Sequence, residues 1–380
     1  ESVDEKAKEF SKKEDLGTIE LADAFEKNGI VLLNKEKGVS SFGAINRLKW
    51  LIKANKVGHA GTLDPMAEGL LIVMLNNATK FSDDLMKKDK EYYVELEMGY
   101  ETDTYDTEGE ITKKGIVNVS QHEIESVINS FVGEIEQMPP MYSAIKINGE
   151  KLYDLARKGI EVERKARKIR INYIKDIKID FSENKVSFYT SVSSGTYIRS
   201  LVRDIGQKLG TFATMTKLVR TQIDKYYLKD AVTLSEIEKL LGQEIVEENR
   251  DFVKRQKIEM KKDESIEEKI YGILENIFDK ESNVKRELKI QDIIKFKDIE
   301  EILEYKEIVI SNDKYLKLKN GMTVLIGFRK LENIKGYREN TILKVFVTNG
   351  KTQKREFKGV VKIIKIGYDK VYLKRDKYFL

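Results

Sequence analysis

The sequence predicts an α+β protein with more than one domain, and three observations carry that expectation. Apolar runs of strand length and segments with helical periodicity follow one another without a regular βαβ rhythm. The chain has 380 residues, more than one ordinary core encloses, so two domains are the starting expectation. Residues 305–380 read as a succession of short strands, a small β domain of barrel size.

Taken in order, residues 1–28 have sparse apolar positions and read as a charged N-terminal extension. Ile30-Val31-Leu32-Leu33 is a strand, and Asn34 to Gly38 is turn-like. Ser40 or Ser41 then caps a helix in which Phe42, Ile45, Leu48, Lys49 and Ile52 recur at helical spacing. Leu70–Leu75 is a buried strand, and the alternation over Tyr92–Met98 marks a half-buried one. His122–Phe131 is helical, Met138-Pro139-Pro140-Met141 breaks the chain, and Lys185–Val192 is another strand. It leads through Ser193-Ser194-Gly195 into a helix with Ile198, Leu201, Val202, Ile205 and Leu209 on one face. From about 235 to 304 charged helical residues dominate, as in Glu264–Ile277. Strands follow at Glu307–Ile310, Thr323–Ile326, Ile342–Val347, Lys358–Lys365 and Lys370–Lys374, with turns at Asn320-Gly321 and Asn349-Gly350. No internal repeat is present.

Composition excludes several chemistries. The chain has no cysteine, so disulfides, thiol nucleophiles and cysteine-held zinc or iron–sulfur centres are ruled out. Its two histidines, His59 and His122, are too few for a histidine-rich metal site, and no metal is expected. No apolar run of membrane-spanning length occurs and the first residues are charged, so a soluble, cytoplasmic protein is expected.

Net charge is +5, from 69 Lys and Arg against 64 Asp and Glu. Its distribution says more than its total. Residues 1–28 hold nine acids and five lysines, so the remainder carries +9. One basic stretch contains Lys151, Arg157, Lys158, Arg164, Lys165, Arg167, Lys168, Arg170 and Lys175 against four acids. A second, 354–377, has nine basic residues and three acids. Two separated basic stretches fit either a polyanion touched at two places or a solvated lysine-rich surface.

The densest local signal is Lys56-Val57-Gly58-His59-Ala60-Gly61-Thr62-Leu63-Asp64-Pro65-Met66-Ala67-Glu68-Gly69. Pro65 restricts Asp64 toward extended backbone, so its carboxylate is presented from a constrained loop. Asp64 is then either a catalytic carboxylate or the side chain of an Asx turn that caps local amides.

The segment Gly58 to Pro65, followed by Ala67-Glu68-Gly69-Leu70-Leu71, resembles the signature loop of the TruB family of tRNA pseudouridine synthases. Further stretches share that likeness in order: Gly29 to Lys35 with Gly38-Val39-Ser40-Ser41, Ala78-Thr79-Lys80-Phe81, and Lys90-Glu91-Tyr92-Tyr93-Val94. Thr102 to Asp106 with Gly109, Pro140 to Lys146, Gly195 to Leu201, and Leu218-Val219-Arg220 complete it over residues 29–228.

The resemblance implies a mixed-sheet pseudouridine synthase catalytic domain over 29–240, with an RNA-gripping insertion at about 137–170. A charged helical connection at 241–304 and a small C-terminal β-barrel, PUA-like RNA-binding domain over 305–380 would follow. It implies that uridine 55 in the T-loop of tRNA is flipped out and isomerised without a cofactor. Asp64 takes the place of the family's invariant aspartate, Arg199 that of its paired cation, and Tyr92 that of the tyrosine packed on the base. His59 would fill the gap left by the flipped base, Tyr197 and Leu218 would line the pocket, and Lys35 and Lys80 would lie near the site or contact phosphates. Lys151, Arg157, Lys158 and Arg164 would grip the T-loop, and Lys354, Arg355, Lys362 and Lys365 the acceptor stem. The expected partner is tRNA and the expected state a monomer.

Two departures stand out: Glu36 occupies a position where the family usually has proline, and Val219 one where a first arginine is usual. Two other readings remain, a guide-RNA-dependent relative and a protein whose chief role is tRNA folding. The basic insertion favours the stand-alone enzyme.

Overall fold

The computed structural model describes residues 25–143, 146–147, 150–160, 162–240, 294–328, 336–349 and 352–376. Most of the expected extension (1–24) and of the expected charged connection (241–293), with the helix anticipated at Glu264–Ile277, lies outside the described residues. Among the described residues no helix is long and apolar enough to cross a membrane.

Ten strands form one mixed sheet. Its path runs Lys297–Asp298, Gly29–Lys35, Glu68–Leu75, Ala213–Ile223, Lys90–Met98, Lys185–Val192, Arg167–Asp180, Gly133–Gln137. Val57–His59 pairs with Glu68–Leu75, and Tyr226–Tyr227 with Ala213–Ile223. Every pairing is antiparallel except that of Glu68 and Gly69 with Val219 and Arg220, so the sheet is mixed, as the resemblance implies.

Burial explains the sequence texture. Strands Gly29–Lys35 and Glu68–Leu75 are covered on both faces, which is why they read as unbroken apolar runs. On one face Val31, Leu33, Leu71 and Val73 meet Ala44, Ile45, Leu48 and Leu51 of the helix Ser41–Leu51. On the other, Ile30, Leu32, Leu70 and Ile72 meet Phe81, Ile223 and Ile299. Lys90–Met98 alternates buried and half-buried, its inner face packing on Leu201, Val202 and Ile205 of the helix Ile198–Leu209. Ser40 caps Ser41–Leu51 by accepting from Gly43 N (3.0 Å).

The fourteen-residue strand Arg167–Asp180 is an element that sequence reading did not single out. Its isoleucines alternate with lysines and arginines, so cation density hides the period; Ile169, Ile171 and Ile174 are buried. Arg167 pairs with Gln137 and Ile171 with Gly133, so the chain between 138 and 166 leaves the sheet edge and returns to it. Arg167, Lys168, Arg170 and Lys175 therefore belong to the sheet rather than to that excursion.

The second sheet runs Lys306–Ile310, Ile342–Thr348, Arg355–Ile366, Lys370–Arg375, Val324–Gly327. Among the described residues no pairing joins its two edges, so it stands as an open five-stranded sheet where a closed barrel was expected. It docks on the first sheet through Val360, with Ile342 and Phe357, against the cluster that holds Ile30 and Ile72. Residues 312–319, between the strands expected at Glu307–Ile310 and Thr323–Ile326, form a helix. The alternation Tyr315-Leu316-Lys317-Leu318 imitates a strand, but Leu318 and Tyr315 face the core three residues apart and Leu316 is exposed. Asn320-Gly321 consequently ends this helix instead of turning a hairpin; Gly321 has φ +83° and Met322 N bonds to Lys317 O at 3.0 Å. Of the expected connection, Lys297–Asp298 adds a strand beside Gly29 and Ile30.

Candidate active site

Asp64 lies in the turn between the strands Val57–His59 and Glu68–Leu75, and that turn is fastened on every side. The buried Ser41 hydroxyl accepts from Leu63 N (2.8 Å) and donates to Leu63 O (2.9 Å). Gly38 N donates to Pro65 O (2.7 Å), and Ala67 N to Asp64 O (3.1 Å). The Lys35 ammonium, fully buried, donates to Glu36 O (2.9 Å) and Val39 O (2.6 Å), with Pro65 O at 3.5 Å. Arg220, equally buried, donates from Nε to Leu70 O (2.7 Å) and from Nη2 to Gly61 O (3.0 Å). Gly69, at φ +108°, lets the Arg220 backbone approach; a Cβ there would stand 2.5 Å from Arg220 O. Burial lowers the Lys35 ammonium to about 8, against the nearby Asp64 carboxylate, which raises it.

Arg199 enters from the first turn of the helix Ile198–Leu209. Its Nε lies 2.8 Å from Asp64 Oδ2 and 3.7 Å from Asp106 Oδ2. Its Nη1 donates to Thr104 O (3.1 Å) and its Nη2 to Tyr142 O (2.8 Å). The guanidinium is thus oriented by both carboxylates and by two carbonyls, at 6% side-chain exposure. Asp106 is buried, accepts from Thr104 Oγ1 (2.6 Å) and Glu108 N (3.0 Å), and is pushed upward in pKa chiefly by burial. The helix start is tied down as well. The buried Gln137 amide accepts from Tyr197 N (2.8 Å) and donates to Tyr197 O (3.1 Å), and Ser200 Oγ donates to Met138 O (2.8 Å).

A cavity of about 360 Å³ opens beside this pair. Asp64, Tyr92, Tyr197, Arg199, Leu218 and Arg220 line it, with Gly61, Thr62, Lys90 and Thr196 among their neighbours. Tyr92 and Arg220 are brought together by sheet register, since they are direct partners in adjacent antiparallel strands. Lys90 is buried, its Nζ donating to Met86 O (2.9 Å) and Lys88 O (2.7 Å), and burial lowers it to about 8. Apolar walls, one carboxylate and several fixed cations suit a flat polar ligand brought beside Asp64.

The structure therefore gathers five of the sequence-predicted residues, Asp64, Tyr92, Arg199, Tyr197 and Leu218, around one cavity. Others stand elsewhere. His59 is on the short strand opposite Val73, outside the cavity lining; burial and the nearby Arg220 charge both lower its pKa. Lys35 lies beneath the loop as a strut to carbonyls, and Lys80 is exposed in the 3₁₀ segment Asn76–Phe81, away from the cavity. Lys158 is exposed and pairs with Glu150 at 3.6 Å, and Arg164 Nη1 donates to Pro139 O (2.9 Å). The side chains of Lys151 and Arg157 lie outside the described residues. Glu36 accepts from Ser235 Oγ (3.1 Å), and the turn after Lys35 is held without a proline by the Lys35 bonds.

Comparison with known proteins bears on the same segments. A model of the N-terminal domain of the TruB family pseudouridylate synthases matches residues 49–198, and one of the tRNA pseudouridylate synthase B C-terminal domain matches 199–256. The protein named tRNA pseudouridine synthase B of Fusobacterium nucleatum is 53% identical over 201 residues, 53% of this chain and 69% of that protein. Its namesake from Clostridium tetani is 44% identical over 235 residues, 61% of this chain and 81% of that one. The chain belongs to the TruB family. Its fold is also similar to that in a crystal structure of a Cbf5–Nop10–Gar1 complex, with TM-score 0.55 and 21% identity over 91% of this chain and 84% of that one. A structure of an H/ACA RNP bound to a substrate RNA containing 2′-deoxyuridine gives TM-score 0.55 at 18% identity over 93% and 85%.

The role of Asp106 beside Arg199 is not visible in the sequence, although Asp106 ends the motif Thr102 to Asp106. Nothing in linear spacing ties a loop acid to an arginine more than ninety positions later; the bridge between Asp106 and Met215 creates the contact. Arg220 and Gln137 are likewise positional, and their burial is the signal that a sequence does not print.

Proposed function

We propose that the protein isomerises uridine 55 in the T-loop of tRNA to pseudouridine. Family membership and the names of its relatives support the reaction. The observation that carries the reading to particular atoms is the 2.8 Å pair of Asp64 and Arg199 at the wall of a cavity shared with Tyr92 and Leu218.

Uridine in a folded loop is stacked, so the nucleotide swings out and its base enters the cavity. Tyr92 and Leu218 pack on the base and exclude water, while Tyr197 closes the side nearest the helix start. Asp64 is the reacting carboxylate, and Arg199 supplies the positive charge beside it and fixes its direction. The C1′–N1 bond breaks, a C1′–C5 bond forms, the C5 proton leaves and N1 gains one, so no external oxidant, reductant or cofactor enters the balance.

The excursion between 138 and 166, with Lys158 and Arg164, grips the T-loop, and the cationic second sheet, a PUA-like module, meets the acceptor stem through Lys362 and Lys365. Phosphate contacts of this kind make binding steeply salt-dependent. The test is an unmodified tRNA transcript incubated with the protein and mapped for pseudouridine at nucleotide resolution. One new pseudouridine in the T-loop is expected; a transcript left unmodified, or modified only elsewhere, contradicts the reading.

A further inference from the structure

The helix Ile198–Leu209 carries a second arginine one turn beyond Arg199, and it holds the next residue of the same loop. Arg203 Nη1 donates to the Tyr105 hydroxyl (3.2 Å), and its guanidinium carbon lies 4.9 Å from the Tyr105 ring centre. Its Nε and Nη2 bond to Asp204 Oδ1 at 2.8 and 2.5 Å, which fixes the guanidinium in turn. Tyr105 itself has φ +64°, a left-handed conformation that a bulky residue adopts only when its surroundings impose it. Among the described residues Tyr105 N donates to Thr102 O (3.2 Å), Met215 N donates to Tyr105 O (3.0 Å) and Thr102 Oγ1 donates to Asp106 O (2.6 Å), while Arg203 is the group that grips the ring.

The consequence falls on the two neighbours of Tyr105. With the backbone turned this way, Thr104 O faces Arg199 Nη1 and the Asp106 carboxylate faces Arg199 Nε. Relaxation of Tyr105 to negative φ rotates both flanking peptides and removes that agreement. We infer that Arg203 and Tyr105 form a positioning clamp, which aims Arg199 at Asp64 through Thr104 and Asp106 without either residue lining the cavity. The inference rests on the reading of Asp64 and Arg199 as the reacting pair.

The test compares Arg203→Ala, Tyr105→Leu and the double variant. Leucine keeps bulk at the position but offers Arg203 neither ring nor hydroxyl, leaves Arg203 paired with Asp204, and adopts left-handed backbone no more readily than tyrosine, so Tyr105→Leu removes the clamp and keeps the strain it opposes. The readouts are single-turnover tritium release from tRNA labelled at uridine C5, tRNA affinity, and Tm. Each single variant is expected to slow the step on the order of tenfold, with affinity within about twofold of the wild type, and the double variant to be no slower than the worse single one. A structural role alone moves Tm and leaves the rate of the folded fraction unchanged. If wild type releases no label, or Asp64→Asn does, the site reading fails and the clamp with it. If those controls hold and either single variant keeps a rate within twofold of wild type, or the two losses multiply in the double variant, the clamp alone is overturned.

Discussion

Arg199 Nε lies 2.8 Å from Asp64 Oδ2, and the two partners differ sharply in exposure, 6% for the arginine side chain and 36% for the aspartate. The cation is buried and fixed, while the acid faces the cavity. That asymmetry suits a carboxylate that must meet substrate beside a charge that must not move. Because Arg199 also carries Asp106 and two carbonyls, its direction is set before any ligand arrives.

Asp106→Asn removes the second carboxylate and keeps the shape. Turnover is expected to fall on the order of tenfold to a hundredfold through misdirection of Arg199, with tRNA affinity held. Burial raises Asp106, so in the wild type it gains its proton at a higher pH than an ordinary carboxylate as pH falls, and Arg199 then loses that partner. The acid limb of the single-turnover rate should therefore contain a group titrating above the usual carboxylate range, and Asp106→Asn should delete it. An unchanged limb contradicts the assignment.

Lys35 gives a stability prediction with a definite sign. Its folded-state value of about 8 lies below the ordinary 10.5, so between these values the unfolded chain holds the proton that the folded one has released. Stability from this group rises with pH across that window, by about 1.4 kcal/mol per unit of difference. Denaturant midpoints of wild type and Lys35→Met, compared at pH 7.5 and pH 10, should diverge in favour of wild type at the higher pH. A constant difference contradicts the burial of a charged ammonium there.

Gly69 lies where the turn that bears Asp64 re-enters the sheet. Gly69→Ala sets a methyl 2.5 Å from Arg220 O at φ +108° and is expected to cost about 2–4 kcal/mol, because backbone and not a flexible side chain must yield. Urea denaturation measures it. A loss under about 0.5 kcal/mol, the size of an ordinary surface change, would show that the close approach of Arg220 is not needed.

Much of the fold was legible because burial leaves a periodic trace. Leu70–Leu75 reads as apolar throughout since both faces are covered, and Lys90–Met98 alternates since one face is open. Arg167–Asp180 was not legible, since cations occupy the outward positions and look like a binding stretch. The helix Asn312–Lys319 was not either, since a Tyr-Leu-Lys-Leu alternation suits a strand as well. At the site, Asp64, Tyr92, Arg199, Tyr197 and Leu218 meet at one cavity, which their places in quoted motifs foreshadow. The supporting groups did not show themselves. For Lys35 the sequence leaves open a place near the site or a phosphate contact, and only three dimensions reveal its ammonium spent on the carbonyls of Glu36 and Val39. Asp106 is one of 64 acids, and its proximity to Arg199 arises from strand register around Met215.

The central claim is that Asp64 performs the chemistry and the remaining groups aim it. It is tested most directly by single-turnover tritium release from tRNA labelled at uridine C5, measured for wild type and Asp64→Asn at enzyme concentrations that saturate binding. Wild type is expected to release one equivalent per T-loop, while Asp64→Asn binds the same tRNA and releases none. Release by Asp64→Asn above the enzyme-free background would contradict the account.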